Sequence, residues 1–168
     1  MIKGFTLPEV LVSVAIVSII GLIATPPISY MLEKSSVESD VFTIKNVIET
    51  TRTKAISSNR FFIICGFSPE DDCSRDWSEL RVLERSTRNT HYQTELKAEY
   101  ESVTWAAFQN KAGLTIAPTG YTHHQNGSLY LCHRRDGRLH RALVVSKSGR
   151  VTTIQHSSKL DERCSVKS

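Results

Sequence analysis

From Val10 to Leu32 the chain carries no charged residue. That run is long enough to cross a bilayer as a helix, because a hydrocarbon core needs about 20 apolar residues. Beyond it the pattern turns amphipathic. Val37, Val41, Ile44, Ile48 and Ala55 recur at spacings of three, four or seven, one stripe of a helix. Glu38, Asp40, Lys45, Glu49, Arg52 and Lys54 fall largely off that stripe, and Ser58-Asn59 closes the segment. Past Asn59 the texture becomes short apolar or alternating runs broken by Gly, Pro, Asn and Asp: RFFIICGF, SELRVLER, VTWAAF, GLTIAP, GSLYLCH, RALVVSKSG and RVTTIQ. A helix followed by a series of strands predicts an α+β fold, with the helix packed on a mostly antiparallel sheet. Pro26-Pro27 is expected to bend the helix, since each proline removes an amide donor and crowds the preceding turn.

Length agrees with a single small domain behind an apolar segment. Of 168 residues, roughly 135 remain beyond that segment, an ordinary size for one domain. No internal repeat or low-complexity tract is present.

Glu9 stands at the lip of the apolar run, where a carboxylate is awkward: at the centre of a membrane helix it would cost roughly 2.5–3.5 kcal/mol. A plain anchor places Glu9 at headgroup depth. A secretory signal peptide would use Lys3 as its basic region and be cut near Ala24, but Thr25-Pro26-Pro27 is a poor context for that cut. Taken as a unit, Lys3-Gly4-Phe5-Thr6-Leu7-Pro8-Glu9 resembles the processing site of type IV prepilins and pseudopilins. The resemblance implies cleavage by a prepilin peptidase between Gly4 and Phe5, and N-methylation of Phe5. Glu9 then becomes the fifth mature residue and sets the subunit register by meeting the Phe5 amine of a neighbour, since a carboxylate in low dielectric is tolerated beside a cation. Pro8 departs from the aliphatic residue usual there, but a first helical turn tolerates proline.

A narrower likeness covers most of the remainder. IICGFSPEDDCSRDWSEL, LTIAPTGY, SLYLCHRRDGRLHRALVVSKSGRV and the late Cys164 together look like the FimT/FimU/GspH branch of minor pilins and pseudopilins. It implies a pilin-like fold with four parts: a leader over 1–4, a transmembrane and filament-core helix over 5–32, an amphipathic helix over 33–59, and a β-rich periplasmic head over 60–168. The four cysteines allow three pairings. An exported head in an oxidising compartment favours disulfides. Cys65 with Cys73 would close a short loop, and Cys132 with Cys164 would tie the polar tail to a strand.

Catalysis finds little support. The chain has no Gly-x-Ser-x-Gly elbow, glycine-rich phosphate loop or Cys-Gly-Ser-Cys-Trp signature. Cys132, His133 and the other histidines lack Cys-x-x-Cys or His-x-x-x-His spacing, so no metal is expected. The expectation is a non-enzyme with no cofactor.

Charge is unevenly distributed. Residues 1–122 hold 12 Lys/Arg against 14 Asp/Glu, a net of −2; residues 123–168 hold 9 against 3, a net of +6. Arg134, Arg135, Arg138, Arg141, Lys147 and Arg150 come from two predicted strands and their turns. On one face they would hold phosphates by charge and counterion release; otherwise they are a solvated edge that discourages strand pairing. Some FimT proteins are DNA receptors with a Gly-Arg-x-Arg motif. Gly149-Arg150-Val151-Thr152 keeps the first arginine and replaces the second with threonine.

The sequence therefore predicts a minor pilin or pseudopilin, single-pass in the bacterial inner membrane with a periplasmic head, then incorporated into a pilus or pseudopilus. Its expected partners are other minor and major pilins or pseudopilins, the prepilin peptidase and the inner membrane. Two alternatives accompany it. One is a GspH-type pseudopilin of the type II secretion system. The other is a FimT-like subunit that binds double-stranded DNA, without sequence preference, in natural transformation.

Overall fold

The computed structural model describes residues 6–69 and 73–165, the side chains of 22–27 excepted. Contacts divide the chain into two units, Met1–Ser35 and Ser36–Ser168. Helix α1, Leu7–Ser58, belongs to both. Helical conformation continues through Pro26 and Pro27, where a bend was expected, so the prolines do not end α1. A proline's fixed φ is itself a helical value, so a helix can continue through it at the cost of one amide donor and some crowding of the preceding turn.

In the first unit, Thr6 precedes the helix. Its carbonyl accepts from the amides of Glu9 at 3.1 Å and Val10 at 3.2 Å. Leu7, Leu11, Val14, Val17 and Ile20 are exposed on the single chain, so among the described residues nothing buries these apolar side chains. Among the described residues no helix is long and apolar enough to cross a membrane; the run that the sequence marks out contains the six positions whose side chains lie outside the description.

The second unit, here called the head, is α+β. Its strands are β1 (Phe62–Gly66), β2 (Glu79–Glu84), β3 (Thr90–Glu95), β4 (Tyr100–Ala107), β5 (Gly113–Ile116), β6 (Gly127–His133), β7 (Arg141–Val145) and β8 (Val151–Ile154), followed by helix α2 (Ser158–Ser165). They form two four-stranded sheets rather than one, ordered β3-β2-β1-β5 and β4-β6-β7-β8. Every pairing is antiparallel.

The amphipathic stripe does what its spacing predicts. Val37, Val41, Ile44, Ile48 and Ala55 are all buried, and the last four join Phe62, Ile64, Leu114, Leu129 and Leu143 in one core. Trp77 and Trp105 stack at the centre, ring centroids 4.7 Å apart. Asp40 departs from its expected place off the stripe: it is 2 % exposed. Its carboxylate accepts from the amides of Lys97 and Ala98 and from the Tyr100 hydroxyl, which compensates its burial with hydrogen bonds.

Helix α1 ends in a Schellman motif. Asn59 takes a left-handed φ of 54°, the Arg60 amide donates to the Ala55 carbonyl at 3.2 Å, and the Asn59 amide donates to the Ile56 carbonyl at 3.4 Å. Asparagine tolerates this conformation better than most residues, so Ser58-Asn59 stops the helix there. Two elements were not legible in the pattern. Strand β3, THYQTE, is almost wholly exposed and has no apolar alternation. Helix α2 buries only Leu160.

Candidate functional site

Gly4 and Phe5 lie outside the described residues. Glu9 is described and exposed. It is the third residue of α1, and the Thr6 hydroxyl donates to its Oε2 at 3.5 Å. A carboxylate in the first turn is favoured by the amides and dipole of the helix N-terminus. Thr6-x-x-Glu9 ahead of an apolar run is also the spacing of a capping box, a signal for Thr6 that the motif reading passed over.

The structure joins Cys65 to Cys73 and Cys132 to Cys164, each pair with Cα atoms 5.4 Å apart. The first closes a loop between β1 and β2. The second holds α2 to the end of β6, where Leu160 is buried.

The candidate DNA-binding residues divide into two groups. Arg134, Arg135, Arg138 and Arg141 lie where β6 ends and β7 begins, whereas Lys147 and Arg150 lie in the turn beyond the other end of β7. Strand β7 and Ser146 separate Arg141 from Lys147, six positions on, at most about 20 Å at the usual strand rise. The first group is neutralised. Arg134 pairs with Glu101 at 3.6 Å, Arg135 with Glu99 at 2.6 Å, and Arg138 with Asp136 at 2.7 Å. The Arg138 guanidinium, with its amide, holds the Asp136 carboxyl down to about 2.

Arg141 is no phosphate contact. It is 5 % exposed and donates to the carbonyls of Arg138 and His140 and to Glu38 Oε1 at 3.3 Å. Its guanidinium links the start of β7 to α1. The sequence reading missed this because Glu38 is 103 positions away.

Lys147 and Arg150 are exposed and have no ion pair among the described residues. Their turn needs Gly149, whose φ is +81° and whose absent Cβ would lie 3.0 Å from the Gly120 carbonyl oxygen. Gly120 has a φ of +79° and faces Arg52 and Ile56; the Arg52 Nε donates to its carbonyl at 3.1 Å. The Thr122 amide donates to the Lys147 carbonyl at 3.1 Å. Turn 146–150, loop 117–125 and the last turns of α1 are thereby fixed together.

Residues that the sequence did not single out extend this corner. The His123 ring meets the Phe61 ring edge-on at 5.4 Å, and the Arg85 guanidinium lies 5.5 Å from the Phe61 centroid. Arg60, Arg85, Arg88, His123 and His124 are all exposed. No run of basic residues marks them, since they come from three separate connections. Among the described residues no group of His, Cys, Asp and Glu is placed to hold a metal ion.

The model of the family described as type II transport protein GspH matches residues 43–149, and that of the prokaryotic N-terminal methylation motif matches residues 1–25. Two crystal structures of the type IV minor pilin FimU of Pseudomonas aeruginosa (strain PAO1) are similar in fold. The one in space group P21 is 16% identical and covers 76% of this chain and 95% of its own, with a TM-score of 0.58. The one in P65, also 16% identical, covers 74% and 94%, with a TM-score of 0.51. No curated protein matches.

Proposed function

The chain belongs to the family of type II transport protein GspH, and from that membership we propose that it is a minor pilin that takes part in type IV pilus assembly as a non-enzymatic subunit. One observation carries the reading: a methylation motif over residues 1–25 runs into a helix whose apolar side chains are exposed on the isolated subunit. Such a helix gains its burial from lipid before assembly and from neighbouring subunits afterwards.

In this proposal the prepilin peptidase cuts between Gly4 and Phe5, Phe5 is methylated, and the subunit waits in the inner membrane with its head in the periplasm. Stacking of apolar helices then drives incorporation, with Glu9 set against the Phe5 amine of a neighbour. The same physics serves a pseudopilin of a type II secretion system, the alternative that the family description favours. DNA binding has narrower support, the exposed Lys147 and Arg150, which have no ion pair among the described residues.

Intact-mass measurement on membrane-extracted protein tests the processing step. The expected product begins at Phe5 with a methylated amine; an intact Met1 or a start near residue 25 overturns the reading. Glu9→Leu should insert in the membrane as well as the parent yet enter filaments poorly, and wild-type incorporation would remove the register role from Glu9.

A further inference from the structure

Among the described residues, the corner where α1 ends carries more cations than carboxylates. Residues 50–69, 85–94, 102–135 and 137–160 contain no Asp or Glu, and the fold draws parts of all four together there. Arg60, Arg85, Arg88, Lys147 and Arg150 are exposed. Among the described residues, the carboxylates that reach them are already engaged. Glu49 is 3.7 Å from Arg52. Glu84 is buried and accepts from Ser86 and Arg60; the Ser86 hydroxyl, then Arg60, hold its carboxyl below the ordinary range.

The corner also offers apolar surface. A cavity of about 490 Å³ is lined by Asn59, Arg60, Phe61, Arg85 and Ser86. Phe61 is one of these lining residues; the Arg85 guanidinium lies 5.5 Å from its ring centroid and the His123 ring meets it edge-on. Near Gly120, which faces Ile56, the corner exposes Ile56 to 51% and the adjoining Tyr121 to 54%. Arginine with aromatic residues is the composition of protein interfaces, where an aromatic floor gives contact area and guanidinium groups hold carboxylates in bidentate pairs. A bare phosphate chain would use the cations and leave Ile56 and Tyr121 idle.

We propose that this corner is the docking surface for an acidic, apolar-bearing segment of a partner subunit, a carboxylate pairing with Arg85 while an adjacent aliphatic or aromatic side chain covers Phe61. The proposal rests on the assembly-subunit reading for the existence of partner subunits. Its test requires neither processing nor filaments, so the two fail separately.

The probe is a short fluorescent peptide of alternating glutamate and leucine, titrated against the full-length protein in mild detergent by anisotropy. Binding is expected at low salt and is weakened by added salt. Arg85→Gln and Phe61→Leu should each weaken it about tenfold, the loss of one anchoring side chain, whereas Lys159→Gln, at an exposed position on α2, should not. A glutamate–serine peptide of the same charge should bind more weakly. Three outcomes overturn the proposal: no peptide binding at low salt, binding indifferent to Arg85 and Phe61, or duplex DNA of equal charge binding more tightly through the same arginines. Sedimentation of the protein alone supplies a fourth: self-association abolished by Arg85→Gln would assign the corner to a second copy instead. Circular dichroism confirms that each variant is folded.

Discussion

The Tyr100 hydroxyl donates to Asp40 Oδ2 at 3.2 Å, joining the first residue of β4 to α1. The same carboxylate takes the amides of Lys97 at 3.0 Å and Ala98 at 2.8 Å, so one side chain fixes the connection between the two sheets to the helix.

Asp40→Ala should therefore be among the costlier single changes in the head. It leaves two amides and a hydroxyl without their acceptor, at about 1–3 kcal/mol for each buried donor that water does not reach. A loss of about 3 kcal/mol in denaturant unfolding is expected, with Tyr100→Phe costing about 1 kcal/mol. Burial first, and the Asp40 charge second, push the Tyr100 hydroxyl far above its usual range. This raised value favours the folded state below the unfolded tyrosine value near 10, and that stability is lost as pH rises above it. Tyr100→Phe should flatten the alkaline limb of the stability profile.

The opposite limb depends on His140. Its Nδ1 accepts from the His133 amide at 2.9 Å, which requires an unprotonated nitrogen. Burial lowers its pKa, with His133 and His156 acting in the same direction and Asp161 and Asp136 opposing. The stability it contributes is present above the unfolded histidine value near 6.5 and is lost as pH falls from there through the lowered folded value. Melting temperatures between pH 7.5 and 5 should decline, and His140→Gln should reduce the slope. An unchanged slope would place the acid sensitivity elsewhere.

Gly149 and Gly120 both sit at left-handed φ, yet they should respond differently to alanine. A Cβ on Gly149 meets a backbone oxygen at 3.0 Å, whereas one on Gly120 meets the Ile56 Cδ1 at 2.9 Å and the Arg52 Nε at 3.1 Å. Side-chain ends can move aside and the backbone cannot. Both variants incur the left-handed penalty, of order 1–3 kcal/mol, and Gly149→Ala should be the less stable in urea titration.

Arg141 and Arg150 should separate stability from polyanion binding. Arg141→Gln removes a buried guanidinium that serves Glu38 and two carbonyls, so the melting temperature should fall markedly. Arg150→Gln should leave the melting temperature within error. If the protein binds duplex DNA at low salt, Arg150→Gln should reduce the salt slope by about one unit, and Arg134→Gln should not, because Arg134 already faces Glu101. Equal effects from Arg134 and Arg150 would show that the strand-end ion pairs open freely.

Periodicity determined the elements that bury an apolar face. The stripe from Val37 to Ala55, the stop at Asn59 and most of the strands follow from spacing and turn residues, because these are local properties of the chain. The cleavage motif was likewise local, a contiguous set of residues ahead of an apolar run. Strand β3 escaped because it covers no core and so needs no alternation. Helix α2 escaped because a disulfide and Leu160, rather than a stripe, hold it. The chemistry of the charged residues was decided only in three dimensions. Asp40 read as a surface acid and Arg141 as a surface base until partners 57 and 103 positions away took them into the interior. The run from Arg134 to Arg150 read as one basic patch, but a strand's length divides it and nearby carboxylates neutralise its larger part. Arg60, Arg85 and His123, scattered through the sequence, meet around Phe61. An ionisable side chain takes its function from what the fold sets within a few ångströms of it, and those distances depend on pairings far apart in the sequence.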